Sequence, residues 1–199
     1  MDPLRYISKI ISKTNILSYN IIRSFTSSNL LLYSDLFKSY IRPIIEYNTA
    51  IWSPHLISDI RRVESIQRRF TRLACQKTNT QFTSYNHRLR LMNLETLELR
   101  RVRFDLLLLF KIYNEIVDIN FNDHFERNIA MQNYNLRGHN FKLEQSKYSG
   151  STHRNNFFYE RVIPIWNALP KSVAESSCIK NFKTELDKFN LLNVYTSKI

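Results

Sequence analysis

Five arginines within twelve residues could bind a run of phosphate groups. The stretch "IRRVESIQRRFTRLACQK" at 60–77 contains them, with an apolar residue at every third or fourth position. They are Arg61, Arg62, Arg68, Arg69 and Arg72, and we call this set the arginine face. A guanidinium carries a planar fork of N–H donors that fits phosphate oxygens, which indicates contact with a nucleic-acid backbone. A solvated helix face is the alternative explanation.

Helical periodicity places these arginines on one side of a helix. At 100° per residue, the apolar residues Ile60, Val63, Ile66, Phe70 and Leu73 span roughly 140°. The arginine face spans roughly 120° on the opposite side. Glu64 is the one acidic residue that we expect near the arginines.

Further basic residues extend this pattern along the chain. Residues 1–100 contain 15 Lys and Arg against 7 Asp and Glu, so most of the net charge of +12 lies there. Lys77 follows the arginine face, and a second basic cluster consists of Arg100, Arg101 and Arg103. We predict that all these side chains contact nucleic acid, and that an anionic membrane surface is a weaker candidate partner.

Catalytic chemistry finds little support in the sequence. Polymerase and nuclease sites pair carboxylates around two metal ions about 4 Å apart. Adjacent acidic residues are absent, and Glu185 and Asp187 form the one acid-x-acid pair, on a predicted helix where they point roughly 200° apart. Cys75 and Cys178 lack zinc-ligand spacing to any histidine. Nearby arginines could lower the pKa of the Cys75 thiol, but a small buried residue is expected there. We predict no catalytic residue, no metal site and no cofactor.

Composition predicts a mainly α protein. Hydrophobic residues make up 43% of the chain, enough for a core, and it contains two glycines, whereas strand-rich folds usually need more. The two distant cysteines fit a reducing compartment. We expect no signal peptide and no membrane span, because the longest apolar run, 106–110, is short. The expected location is the nucleus or the cytoplasm.

Apolar periodicity predicts the helices. We expect them at 4–25, from about 30 to 46 with an interruption at Pro43, at 60–77, 84–92 and 94–117, and twice after residue 154. Ser58 or Asp59 is the expected cap of the helix at 60–77. The expected domains are 1–118, a linker at 119–153 with a short strand at 140–145, and a C-terminal helical segment at 154–199. Aromatic residues such as Tyr47, Trp52, Phe157 and Phe158 are expected to pack rather than to stack on bases.

Two adjacent stretches resemble one family. "LYSDLFKSYIRPIIEYNTAIWSPH" (32–55) and "DIRRVESIQRRFTRLA" (59–74) are similar to the region after the polymerase active site in non-LTR (LINE-type, jockey-like) retrotransposon reverse transcriptases. The matching residues are Arg42, Pro43, Ile44, Glu46, Tyr47, Trp52, Ser53, Pro54, Gln67, Arg68, Arg69, Phe70, Thr71 and Arg72. The resemblance continues at 94–114, 136–143 and 157–173. There it includes Leu94, Leu97, Arg100, Arg101, Asp105, Lys111, Arg137, Gly138, His139, Arg161, Trp166, Asn167, Leu169 and Pro170.

The resemblance implies a thumb-like helical bundle with a small helical C-terminal extension. The family acts as an RNA-directed DNA polymerase, and its thumb holds the primer–template duplex. The Asp-Asp metal motif of the palm and the endonuclease domain do not occur in these residues, so polymerisation by this chain alone is not expected. The implied partner is RNA or an RNA–DNA hybrid, bound without sequence preference. A separate reverse transcriptase palm is a further candidate partner.

Two other interpretations remain open at this stage. The chain could be a protein-interaction module whose exposed apolar patch binds another polypeptide. It could also be a decayed retroelement fragment with no cellular role. The resemblance and the arginine face favour nucleic-acid binding over both.

Overall fold

The fold is mainly helical, as predicted. The computed structural model describes residues 3–128, 138–145, 154–193 and 195. Within this part of the chain no strands pair into a sheet, and one isolated antiparallel bridge joins Arg127 to Leu143. The strand expected at 140–145 is therefore reduced to that bridge, with Asn128 N–H donating to the Lys142 carbonyl at 3.0 Å.

The helices follow one another with short connections. They are α1 (Pro3–Ser24), α2 (Leu30–Leu36), α3 (Arg42–Glu46), α4 (Thr49–Trp52), α5 (Ile57–Lys77), α6 (Tyr85–Leu91), α7 (Leu97–Tyr113), α8 (Phe158–Asn167), α9 (Lys171–Ala174) and α10 (Ile179–Lys188). A π-helical turn occupies Phe37–Ile41, and 3₁₀ turns lie at Phe121–Asp123, Arg154–Asn156 and Leu191–Asn193.

The chain divides into two compact units within α7. Unit 1 comprises the residues up to Arg101, and unit 2 begins at Val102. The first turn of α7 thus belongs to unit 1 and the remainder to unit 2. The segment 119–153, which we expected to be a linker, lies in unit 2 and contributes the buried residues Phe121, Phe125, His139 and Leu143 to it. Positions 129–137 and 146–153 of that segment lie outside the described residues.

Pro43 does not end the second helical segment. Proline lacks the N–H group and its ring crowds the carbonyl four residues earlier, so a regular helix cannot continue through it unchanged. The preceding residues form the π-helical turn instead, in which Arg42 N–H bonds to the Phe37 carbonyl. Helical geometry then resumes as α3, with Pro43 in its first turn. A local widening of the helix therefore accommodates the proline.

α5 lies at the centre of unit 1, where it packs against α1, α2 and α6. Phe70 on α5 and Phe37 are both fully buried, with ring centroids 5.1 Å apart. Tyr33, Val63 and Ile66 join the same core. Trp52 is buried as expected. Tyr47 is 70% exposed, so the prediction that Tyr47 packs in the core is wrong.

Helix ends show which of the predicted boundaries are correct. Asn29 caps α2 and Ser84 caps α6, each accepting a backbone N–H. α5 begins at Ile57, and Leu56 precedes it without a side-chain cap, so neither Ser58 nor Asp59 is the cap. α7 ends at Tyr113, earlier than predicted, because Glu115 adopts a left-handed conformation (φ 54°) and Ile116 N–H closes the turn on the Lys111 carbonyl at 2.8 Å.

Unit 2 is built around aromatic residues. Trp166 on α8 and Phe182 on α10 are fully buried, and Phe182 stacks on Phe110 of α7 at 4.3 Å between ring centroids. Phe158 is buried as the periodicity predicts, whereas Phe157 is exposed. α8 continues through the exposed Pro164 rather than ending there.

Candidate nucleic-acid interface

α5 separates a buried side from a basic side. Its buried residues occupy about half of the helix circumference by periodicity, and they include Ile60, Val63, Ile66, Phe70 and Ala74. All members of the arginine face are exposed. The one-sided arrangement predicted from the sequence is confirmed.

Three of these arginines project into solvent without an acidic neighbour. Among the residues that the structure describes, no carboxylate forms an ion pair with Arg61, Arg69 or Arg72. Ser65 lies between them on the same exposed arc. Exposed guanidinium groups of this kind remain available to an external anion, because binding it requires no internal pair to break.

Arg62 is held by neighbours inside unit 1. Its guanidinium donates to a carboxylate oxygen of Asp59, one turn earlier, at 3.2 Å. It also donates to the hydroxyl of Ser8 on α1 at 3.0 Å. Asp59 is buried in the first turn of α5, where its charge also suits the helix dipole. Arg62 therefore contributes less positive charge to an external partner than Arg61, Arg69 and Arg72 do, which form no ion pair with a described carboxylate.

Arg68 rests on an aromatic ring from α6. Its Cζ atom lies 4.4 Å from the centroid of the Tyr85 ring, within the range of a cation–π contact. The Tyr85 hydroxyl donates a short hydrogen bond to a carboxylate oxygen of Glu64 and accepts one from Gln67 at 2.9 Å. The ring that supports Arg68 is therefore fixed at its far end by two side chains of α5.

Glu64 does not dilute the arginine face, contrary to the sequence-based expectation. The residue is fully buried, and its second carboxylate oxygen accepts the backbone N–H of Leu97 at 3.0 Å. Leu97 is the first residue of α7, so Glu64 satisfies an N–H that the helix itself cannot pair. Burial raises the pKa of the Glu64 carboxyl, while the bond from Tyr85 and the charges of Arg101 and Arg68 oppose that rise. The acid of α5 thus faces the interior and links three helices.

Arg88 is a basic residue that periodicity alone did not identify. It is almost fully buried and donates to the Thr71 hydroxyl of α5 at 3.2 Å. Its Cζ atom lies 4.7 Å from the Phe82 ring centroid and 5.5 Å from that of Tyr85. Burial lowers the pKa of Arg88, and the charges of Arg72 and Arg68 act in the same direction. The bond between Arg88 and Thr71 joins residues 17 positions apart, so no local spacing signals it.

The second predicted cluster is not an exposed basic surface. Arg100 forms a two-point ion pair with Glu46 of α3, with one of its bonds at 3.0 Å. Arg101 is buried, and its charge lies near Glu64. Arg103 belongs to unit 2, where it is half-buried and bonds to Asp187 at 2.6 Å. The structure therefore places these three arginines in internal contacts, because successive residues of α7 point in different directions.

Lys77 is exposed but lies apart from the arginine face by periodicity. It stands at the last turn of α5, about 60° from the nearest arginine on the helical wheel. A cation there complements the carboxyl end of the helix dipole. The interaction with the helix dipole is thus a structural role for Lys77, in addition to the predicted contact with nucleic acid.

Several residues that carry the family resemblance stabilise the fold. Glu46 lies between Arg42, at 4.0 Å, and Arg100. In unit 2, Arg161 of α8 forms a two-point ion pair with Asp105 of α7, at 2.8 and 3.0 Å. The Glu46–Arg100 and Asp105–Arg161 pairs each join helices that are distant in sequence, whereas Arg42 and Glu46 both belong to α3.

A second set of such residues holds the segment around 138–145 against α8. His139 is buried and donates through Nε2 to the Trp166 carbonyl at 3.0 Å, and its pKa is lowered by burial. Asn167 makes two bonds with the Leu143 backbone, at 2.8 and 2.9 Å. His139, Trp166 and Asn167, which belong to the resemblance, thus hold the backbone of residues 138–145 against α8.

Cys75 is a core residue in this structure. It lies on the buried side of α5, and burial raises the pKa of its thiol despite the opposing charge of Arg88. A raised pKa disfavours the thiolate form that a nucleophile requires. The lowering that flanking arginines could have produced is therefore outweighed.

The described residues contain no cluster of three or more His, Cys, Asp or Glu side chains arranged to bind a metal ion. Over the same residues, none of the helices combines the length and apolarity needed to cross a bilayer.

Comparison with known proteins gives one weak relationship. The chain is 26% identical over 113 residues to a Caenorhabditis elegans protein that bears the name "Uncharacterized protein B0403.1". The match covers 57% of this chain and 54% of that protein, so the chain spans about half the length of its relative. No family model matches the sequence, and no solved structure matches it.

The buried position of Glu64 predicts how stability depends on pH. Because its pKa is raised in the folded chain, the contribution of Glu64 to stability is fully present below its ordinary pKa of 4.5 and is lost as the pH rises through the folded value. The variant Glu64→Gln carries no charge in this range. Relative to this variant, the wild-type free energy of unfolding should fall with rising pH, by at most about 1.4 kcal/mol per pH unit. Urea denaturation at a series of pH values measures this difference.

The exposed Glu144 of unit 2 provides the control. Glu144→Gln removes the same charge from the surface, and its pH profile should follow that of wild type. A wild-type stability that rises relative to Glu64→Gln above pH 4.5 would show that the carboxylate form is the favoured one and would contradict this prediction.

Proposed function

We propose that this chain binds RNA or an RNA–DNA hybrid, without sequence preference, through the arginine face of α5. The observation that supports this most directly is the exposure of Arg61, Arg69 and Arg72 on one side of the helix, with no ion pair to a described carboxylate. Charges placed this way attract a polyanion and release its bound counterions.

The length of the arginine face fits several phosphates rather than one. Arg61 and Arg72 are eleven residues apart, which corresponds to roughly 17 Å along the helix. Consecutive phosphates are spaced more closely than this along each strand of a duplex. A rigid helix with arginines along one side can therefore neutralise several phosphates of one strand. Phosphate contacts carry no direct sequence information, so this binding is non-specific.

The resemblance to retrotransposon reverse transcriptases supplies the choice of partner. It is to the thumb and the C-terminal region, and a thumb holds the primer–template duplex. We therefore propose a thumb-derived binding element that does not polymerise by itself, with a separate palm as a candidate protein partner. Because such nucleic-acid partners occur in the nucleus and in the cytoplasm, we propose either compartment as the location of this chain.

Removing the three unpaired arginines should weaken binding mainly at low salt. The variant Arg61→Ala/Arg69→Ala/Arg72→Ala should bind a short RNA–DNA hybrid more weakly. The slope of log Kd against log salt concentration should decrease by roughly two to three, because each phosphate contact contributes about 0.9. Fluorescence anisotropy with a labelled hybrid at several salt concentrations measures both quantities. Arg62 and Arg68 are retained because other side chains hold them.

A matched control removes three charges from unit 2. Lys180, Lys183 and Lys188 on α10 are exposed, and their replacement by Ala changes the net charge by the same amount. This control should keep a slope close to that of wild type. Equal slopes in the arginine variant and wild type would contradict the proposal, and equal losses in both variants would show diffuse attraction by net charge.

A protein-interaction role is the second candidate, and an exposed apolar surface favours it. Tyr47 lines a groove of about 410 Å³ in unit 1. The other lining residues are Tyr6, Lys9, Ile10, Lys13, Pro43 and Ile44. Ile51, nearby in sequence, is 75% exposed. Exposed apolar groups of this size in one region are typical of a surface that contacts another protein.

Light scattering tests this second candidate. In the absence of nucleic acid, the mean molar mass of the wild type should rise with protein concentration as the apolar surfaces of two copies meet. The double variant Tyr47→Ser/Ile51→Ser should stay monomeric over the same range. A wild type that remains monomeric at all concentrations would remove the support for self-association through this surface.

A further inference from the structure

Arg68 differs from the other members of the arginine face because its guanidinium rests on a ring. The distance of 4.4 Å between its Cζ atom and the Tyr85 ring centroid fits a cation–π contact. Arg68 is nevertheless exposed, and no described carboxylate forms an ion pair with it. The Tyr85 ring therefore lies against the guanidinium carbon, while solvent reaches the exposed part of the side chain.

The support beneath Arg68 is preorganised. Tyr85 cannot easily rotate away, because its hydroxyl is both a donor to Glu64 and an acceptor from Gln67. Glu64 is in turn fixed by the backbone N–H of Leu97. The Cζ atom of Arg88 lies 5.5 Å from the centroid of the same ring and 4.7 Å from that of the Phe82 ring, which extends the group of neighbouring cations and rings at the start of α6. An arginine held in place in this way loses less entropy on binding than a mobile one.

A planar, supported guanidinium can bind a nucleobase as well as a phosphate. Unpaired bases stack on arginine planes and on aromatic rings, whereas bases inside a duplex are already stacked on each other. Phosphate contact needs only charge, which Arg61, Arg69 and Arg72 already supply along the same helix. The ring beneath Arg68 holds the planar guanidinium in place, and a planar group held in place is a surface on which a base can stack.

We propose that Arg68, supported by Tyr85, is a stacking site for an unpaired nucleobase next to the duplex that the arginine face binds. The site selects a duplex with a single-stranded extension over a blunt duplex. This inference rests on the proposed function, since the backbone contacts bring the extension to Arg68. It adds a preference for nucleic-acid structure, and none for sequence, because every base has a stacking face.

The test compares three RNA–DNA hybrids that share one duplex. The first is blunt, the second carries a short single-stranded extension, and the third carries an extension of the same length built from abasic nucleotides. The abasic extension adds the same phosphates without bases, so the ratio of Kd values between the last two isolates stacking from charge. For the wild type, we expect the extension with bases to bind about fivefold or more tightly than the abasic one.

Two variants that keep the charge identify the residue responsible. Arg68→Lys retains a cation but loses the plane, and should lose most of the preference for bases. Arg90→Lys makes the same change at an exposed position of α6 outside the arginine face, where no ring of the described residues contacts the guanidinium, and should retain it. Both variants should keep the wild-type salt slope. Circular dichroism checks that they fold, which we expect because both positions are exposed.

The outcomes separate this inference from the function on which it rests. Binding of all three hybrids with equal affinity by the wild type would overturn the stacking site and leave backbone binding intact. An equal preference for bases in Arg68→Lys and Arg90→Lys would place stacking elsewhere and would also overturn it. Failure of the wild type to bind any of the hybrids at low salt would overturn both proposals. Loss of the preference in Arg68→Lys alone supports the site.

Discussion

The inward-facing carboxylate of Glu64 is the contact on which the arrangement of unit 1 depends. It accepts hydrogen bonds from the Tyr85 hydroxyl of α6 and from the first backbone N–H of α7, while it belongs to α5. Three helices therefore meet at one buried acid. Because this acid points into the core, Asp59 is the one carboxylate of α5 that pairs with a member of the arginine face, and its partner is Arg62. A buried polar network of this kind is most stable when each member is satisfied. Here the carboxylate and the hydroxyl both are, whereas the side-chain oxygen of Gln67 accepts no hydrogen bond from the described residues.

Arginines with similar sequence surroundings have different roles in this structure. Arg61, Arg69 and Arg72 are exposed, Arg62 is held by Asp59, Arg88 is buried against α5, and Arg100 is paired with Glu46. Each of these arginines adds the same single positive charge to the net charge of the chain. Only the exposed arginines are available to a polyanion, so the positive charge that such a partner can contact is smaller than the net charge of +12 indicates.

The features of the structure that depend on local periodicity could be predicted from the sequence. The apolar spacing of Ile60, Val63, Ile66 and Phe70 orients α5, and the same rotation places the arginine face in solvent. Contacts between distant segments could not be predicted in this way. Nothing in the spacing of residues 60–77 shows that Tyr85 lies beneath Arg68, or that Glu64 reaches Leu97. For the same reason, the sequence did not show that Arg100, Arg101 and Arg103 have internal contacts, since their partners come from other helices.

The central claim is that one side of α5 contacts the backbone of a nucleic acid. Side-chain NMR of the arginine Nε–Hε groups, followed while an RNA–DNA hybrid is added, tests it most directly because each guanidinium gives its own signal. The account predicts large shifts for Arg61, Arg69 and Arg72, and small ones for Arg100 and Arg103, which have internal partners. Shifts confined to arginines outside α5, or no shifts at saturating hybrid, would contradict it.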